Sequence, residues 1–182
     1  MSMKKEFNII AYTENHIGLL NRITIVFTRR KVNIESLTVS ESAIKGVSKF
    51  TIVVETTEEQ VQKIVQQIEK QVDVLKAFYH HNDELVYQEI ALYKVATNDL
   101  LESDKIENLI RKYNARILEI TKEFTVIEKT GHKEETQEFF EELNQFRVLQ
   151  FIRSGRIAIT RLTIERLSEF LNERDKILST TN

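Results

Sequence analysis

Residues 7–30 read FNIIAYTENHIGLLNRITIVFTRR, and the way this stretch divides decides the fold. Phe7 to Tyr12 is apolar at nearly every position, as in a central strand buried on both faces. Leu19, Leu20, Ile23, Val26 and Phe27 then fall at helical spacing, which predicts a helix from about Gly18 to Arg30. Between the two stands Glu14-Asn15-His16-Ile17-Gly18. No GxGxxG, no lysine-bearing phosphate loop and no serine nucleophile accompanies this turn. A helix N-terminus offers unpaired N–H groups and a partial positive charge, which suit a carboxylate. Gly18 lets the backbone approach a ligand, and Asn15 presents one acceptor and two donors, a set that suits an α-amino acid. A plainer role fits as well, with Asn15 capping the helix and Gly18 easing the bend.

Further along the chain, Val32 to Val39 alternates as a strand whose phase slips at Ser36, the mark of a bulge or bend. Val47 to Glu55 is β-branched and reads as a third strand. Thr57 and Gln60 form a capping-box signal before the apolar face Val61, Ile64, Val65 and Ile68. Val72, Val74 and Phe78 alternate as a fourth strand. The order is β-α-β-β-α-β, and it repeats. Val86 to Ala96 is a strand, and Ile106, Leu109, Ile110 and Tyr113 mark a helix. Ala115–Ile120 and Phe124–Glu128 form a hairpin, Phe139, Phe140 and Leu143 a second helix, and Phe146–Ile159 an extended stretch broken at Gly155. The expected fold is α+β: two tandem ferredoxin-like (βαββαβ) domains. Domain bounds are 1–80, a linker 81–85, and 86–162, with an amphipathic tail helix over 163–182. One mixed α/β sheet is the competing arrangement. Ile164, Leu167, Phe170, Leu171, Ile177 and Leu178 give the tail an apolar side suited to packing on its own domain or a partner, and its polar side is not basic enough for a membrane surface.

Composition narrows the function. With 26 basic and 28 acidic residues the net charge is −2, so no general electrostatic pull toward nucleic acid is expected. On the third strand Phe50 is followed by the aliphatic Ile52 and Val54, which is poor equipment for stacking RNA bases. The chain has no cysteine, which excludes disulfides and zinc–thiolate sites. No apolar run reaches the roughly 18 residues of a membrane span and no signal-peptide pattern opens the chain, so the expected compartment is the cytoplasm. His80-His81 reads as part of a solvated linker rather than a metal site. The pairs Glu134-Glu135 and Glu141-Glu142 read as a solvated helix face rather than acid–base machinery. No catalytic, metal or cofactor set is expected.

Taken together, Glu14-Asn15-x-x-Gly18-Leu19-Leu20-x-Arg22, Asn33-Ile34-Glu35-Ser36-Leu37-Thr38-Val39 and Val72-Asp73-Val74-Leu75 closely resemble the regulatory (small) subunit of acetolactate synthase, a family built on an ACT domain. Glu89-Ile90-Ala91-Leu92-x-Lys94-Val95, Arg116-Ile117-Leu118-Glu119-Ile120 and Arg153-Ser154-Gly155-Arg156-Ile157-Ala158 extend the resemblance to about residues 6–161. The first domain would then be an ACT domain. The resemblance implies a chain without catalytic activity that dimerises through its ACT domains and binds a branched-chain amino acid, usually valine, at the interface. It also implies a partner, the thiamine-diphosphate-dependent catalytic (large) subunit, which the chain would activate and make feedback-sensitive. Carried over by position, Asn15, Gly18 and Asn33 would hold the polar groups of the effector. Geometry adds Ile17, Leu19 and Ile34 as candidates for its apolar side chain, with His16 beside them. A stand-alone ACT-type amino-acid sensor, without a synthase partner, is the alternative. The chain departs from the pattern at His16-Ile17, where a small residue or proline is usual before the glycine. It departs again at Lys31, where a helix-ending glycine is usual, and in its tail.

Overall fold

The computed structural model describes residues 3–98, 104–163, 167 and 169–172. The chain divides into two compact units, Met1–Val86 with Ala158–Asn182, and Tyr87–Ile157.

In the first unit β1 (Lys5–Glu14), α1 (Leu19–Arg29), β2 (Ile34–Glu41), β3 (Val47–Thr56), α2 (Glu58–Glu69) and β4 (Val74–His80) follow one another. Their sheet has the order β2-β3-β1-β4 and pairs antiparallel throughout. The expected βαββαβ order is met. The phase slip at Ser36 is real: the β2–β3 register shifts between Ile34 and Ser36. Phe7, Ile9 and Ala11 of β1 meet Phe50, Ile52 and Val54 of β3 beneath Leu19, Ile23, Val26 and Phe27 of α1 and Val61, Ile64 and Ile68 of α2. Burial of each of these side chains other than Ala11 contributes about 1.5–3 kcal/mol. The capping signal at Thr57 is half fulfilled. Thr57 accepts from the Gln60 N–H at 3.3 Å, while the Gln60 side chain accepts from the Thr56 hydroxyl at 2.6 Å.

The fourth strand turns a different face inward than the alternation of Val72, Val74 and Phe78 suggests. Ala77 is buried and Tyr79 packs against the core beside Val74, whereas Val72 is exposed. Asp73 adopts φ 72°, and β4 starts one residue later. Nor is His80 in a solvated linker: it ends β4 at 2% exposure, and β5 begins at Leu85 after a single 3₁₀ turn.

The second unit repeats the scheme with β5 (Leu85–Ala96, which begins in the first unit), α3 (Asp104–Lys112), β6 (Arg116–Ile120), β7 (Phe124–Gly131), α4 (Lys133–Leu143) and β8 (Val148–Arg153). The sheet order β6-β7-β5-β8 is that of the first unit. Ala91, Tyr93, Val95, Ile106, Ile127, Phe139 and Leu143 form its core. Tyr93 donates to the Thr136 carbonyl at 2.6 Å, so its buried hydroxyl is satisfied. Burial raises its pKa beyond the normal phenol range.

β9 (Ile157–Thr160) comes after the break at Gly155. The chain from Ala158 onward belongs to the first unit, where the Ala158 carbonyl accepts from Lys49 Nζ and the Arg161 N–H donates to the Glu84 carbonyl. The tail helix expected over 163–182 lies mostly outside the described residues. Leu167 and residues 169–172 are helical, Leu167 is fully buried, and the Phe170 ring lies 5.8 Å from Lys76 Nζ. No helix among the described residues is long and apolar enough to cross a membrane.

Candidate functional site

The turn between β1 and α1 is held from two sides. The Glu14 N–H donates to the Asp73 carbonyl at 2.9 Å, just before β4, and the Asn15 N–H donates to the Gly46 carbonyl at 3.2 Å, in the β2–β3 hairpin. Gly18 is the N-cap of α1, with φ 84° and ψ −4°. An added Cβ would meet nothing within 4 Å. Glycine is therefore required by the left-handed backbone and not by crowding.

No side chain caps this helix, and its first turn carries no acidic residue. Asn15 is exposed and does not act as the cap, so the plain capping role fails for it. The Leu19 N–H reaches the His16 carbonyl only at 3.4 Å, and among the described residues nothing accepts from the N–H groups of Leu20 and Asn21. Three donors thus cluster at the positive end of a helix: two backbone groups and the Asn15 amide.

A hollow of about 150 Å³ opens here, lined by Thr13, Asn15, His16, Gly18, Leu19, Leu20, Val39, Ser48 and Phe50 among others. It is open to solvent and falls in the size class of a small amino acid. A second hollow of about 430 Å³ touches the same turn from Ile44–Val47, Leu75 and Leu171.

Charge around the turn is organised by Asp73. Arg22 Nη2 lies 2.8 Å from Asp73 Oδ2, and His16 Nδ1 lies 3.3 Å from Oδ1. The Arg22 guanidinium holds the Asp73 carboxyl below the usual range, partial burial opposes it, and His16 adds to the lowering. Glu14, His16 and Asp73 bring one ring nitrogen and two carboxylate oxygens within 4.8 Å of one another. The guanidinium already supplies the cation that this group would otherwise attract. Arg22 and Asp73 belong to separate strings of the sequence resemblance, and their pairing joins the two. Glu89 does the same in the second unit, facing Arg153 at 3.4 Å and Arg156 at 3.5 Å.

The predicted residues separate into two groups. Asn15, His16, Gly18 and Leu19 meet at the hollow, although Leu19 is chiefly a core residue at 2% exposure. Ile17 is fully exposed and does not line it. Asn33 and Ile34 stand at the other end of the sheet. Ile34 pairs with Val54 and Glu14 with Val47, so seven residues of β3, roughly 23 Å, separate them within one chain. Asn33 is exposed and donates to its neighbour Glu35 at 2.8 Å. Sequence reasoning passed over Thr13, Ser48, Asp73 and Arg22 as site residues. The polar Thr13 following the apolar run Ile9–Tyr12 was the available signal.

A family model described as "Small subunit of acetolactate synthase" matches residues 88–162, and one described as "AHAS small subunit-like ACT domain" matches residues 9–76. The acetolactate synthase small subunit of Bacillus subtilis is 34% identical over 155 residues, covering 85% of this chain and 90% of that protein. That of Mycobacterium leprae is 30% identical over 148 residues, covering 81% and 87%. The crystal structure of the acetolactate synthase small subunit from Thermotoga maritima matches with a TM-score of 0.79 at 28% identity, covering 88% of this chain and 99% of that one.

Proposed function

Because the chain belongs to the acetolactate synthase small-subunit family, we propose that it activates a thiamine-diphosphate-dependent catalytic subunit in the cytoplasm and makes it responsive to a branched-chain amino acid. The observation that carries the effector half is the uncapped α1 N-terminus. Its free N–H groups, the Asn15 amide and the left-handed Gly18 border a hollow of amino-acid size. In this reading the effector carboxylate sits on the N–H groups of Leu20 and Asn21, and Asn15 takes part in holding its polar groups. No side chain is asked to do chemistry.

Asn33 and Ile34 enter this site through a second copy. β2 is an edge strand of the first sheet. Two such edges paired antiparallel bring the start of one β2 beside the end of the other, and that end adjoins the turn. The exposed apolar side chains Ile17, Leu20 and Val39 lie around this region and would be covered in such a dimer. An effector that binds one dimer arrangement better than another shifts the catalytic partner between states by linkage.

The test is an acetolactate assay of the catalytic subunit with and without this chain, and with and without branched-chain amino acids. Addition of the chain should raise the rate, and the effector should lower it. Gly18→Asp, which puts a carboxylate against the effector's own and strains the turn, should abolish the effector response and leave activation intact. No rate change on adding the wild-type chain would refute the subunit role and return the protein to a stand-alone sensor.

A further inference from the structure

The outer face of the first sheet is as buried as its core. Ile10, Tyr12 and Val53 alternate along their strands with the core residues Ile9, Ala11, Ile52 and Val54, so they point away from α1 and α2. They are nevertheless 1%, 2% and 2% exposed. Tyr12 shows what covers this face. Its neighbours across the two ladders are Lys49 of β3 and Lys76 of β4, and directly opposed residues share a face. Lys49 Nζ donates to the Ala158 carbonyl at 2.8 Å, and Lys76 Nζ lies 5.8 Å from the Phe170 ring. The described tail therefore crosses the sheet over Tyr12, with the fully buried Leu167 falling between those two contacts in the chain. One turn past Leu167, the half-buried Leu171 stands at the hollow of about 430 Å³. This hollow lies between Leu171, Leu75 of β4, the hairpin residues Ile44–Val47 and the turn. β4 and the hairpin are the two sides from which the turn is held, since Glu14 N–H donates to the Asp73 carbonyl and Asn15 N–H to the Gly46 carbonyl.

We propose that the tail is a brace for the β1–α1 turn. Leu167 anchors it on the outer face of the sheet, and Leu171 ties the hairpin support to the β4 support through the apolar side chains of Ile44, Val47 and Leu75. The brace is incomplete, because open space remains between its parts, so its strength is set by the size of the side chain at position 171. Leu167, Phe170 and Leu171 all lie beyond residues 9–76 and 88–162, which the family models match. The inference concerns how the turn is held and does not depend on which ligand the turn takes. A braced turn has less conformational freedom to lose, so whatever binds it binds more tightly with the brace in place.

Hydrogen exchange on the full chain, without ligand, tests the brace. Leu171→Ser should speed exchange of the Glu14 and Asn15 amides about 5-fold, the scale of one half-buried leucine. Leu171→Phe fills part of the hollow and should slow the same amides below wild type, and Leu171→Met should match wild type. Leu167→Ala, at the anchor, should act as Leu171→Ser does and lower the melting temperature as well. Residues 87–157 should exchange alike in all variants. Wild-type exchange at both amides in Leu171→Ser and in Leu171→Phe overturns the brace. Equal acceleration throughout the first unit in Leu171→Ser also overturns it, because that is a loss of global stability and not of a support. In the acetolactate assay, Leu171→Ser should raise and Leu171→Phe lower the amino-acid concentration that gives half the effect. This arm alone rests on the regulatory reading. A wild type without any effector response refutes that reading, while exchange still decides the brace. Altered exchange with an unchanged effector response in both variants overturns the part of the brace in binding.

Discussion

Lys31 and Asp73 are the two residues at which local geometry is most exposed to test. Lys31 has φ 54°, in the left-handed region, at the position following the Arg30 cap of α1. The Val32 N–H reaches back to the Phe27 carbonyl and the Lys31 N–H to the Thr28 carbonyl, both at 3.1 Å. This is a Schellman ending, which glycine fits without strain. Lys31 adopts that geometry without being glycine. Lys31→Gly should therefore raise the stability of the chain by about 1 kcal/mol, read from a urea unfolding midpoint. Asp73 gives a pH dependence. Its folded pKa lies below its ordinary value because of Arg22. Its contribution is complete above the ordinary carboxyl range and fades as pH falls through the lower, folded value. Melting temperatures taken from pH 6 down to about pH 3 should fall less steeply for Asp73→Asn than for wild type. Identical slopes would show that the pair with Arg22 carries no linkage.

Among the elements, the two β-α-β-β-α-β units place the same devices at the same points. α1 and α3 both end in Schellman contacts, with Lys31 and Asn114 left-handed. β4 and β8 are each preceded by a left-handed residue, Asp73 and Arg147. None of these four is glycine, in a chain with only four glycines, so topology here overrides residue preference. Edge strands are treated differently from one another. β4 is guarded: the Glu69 carboxylate accepts from the Ala77 N–H at 3.2 Å and pairs with Lys76 at 2.7 Å. β2 carries Val39 at 43% exposure on its outer stretch. If β2 is the dimer edge, Val39→Lys should convert a dimer to a monomer in sedimentation velocity and weaken effector binding with it. A persistent dimer would place the interface elsewhere.

For the molecule as a whole, the two units have separate hydrophobic cores, and the uncapped turn with its hollow lies in the first. Binding should therefore be felt unequally along the chain. Hydrogen exchange with valine at saturation should slow amides in β1, the turn and the start of α1, and leave residues 87–157 unchanged. Protection centred on the second unit would move the site. The family match ends at residue 162, so the described tail residues Leu167, Phe170 and Leu171 stand outside it. Among the described tail residues Leu167 is fully buried. A chain cut at Leu162 would therefore expose the surface under Leu167.

The order of elements, both helix faces of the first unit, the slip at Ser36 and the glycine-bearing turn that opens α1 are all legible in the sequence. These rest on periodicity and on residues whose neighbours lie within a few positions, so local chemistry suffices. Which residues share the hollow is settled only by the folded chain. Sheet register sends Asn33 and Ile34 to the far end of β3, brings Thr13 opposite Ser48, and folds Asp73 onto Arg22. The last of these contacts joins positions 51 residues apart, and no local pattern encodes a register. Ile17 shows the same limit from the other side. Its place beside the glycine suggested a contact for the effector's apolar side chain, and the folded turn instead leaves that side chain in solvent.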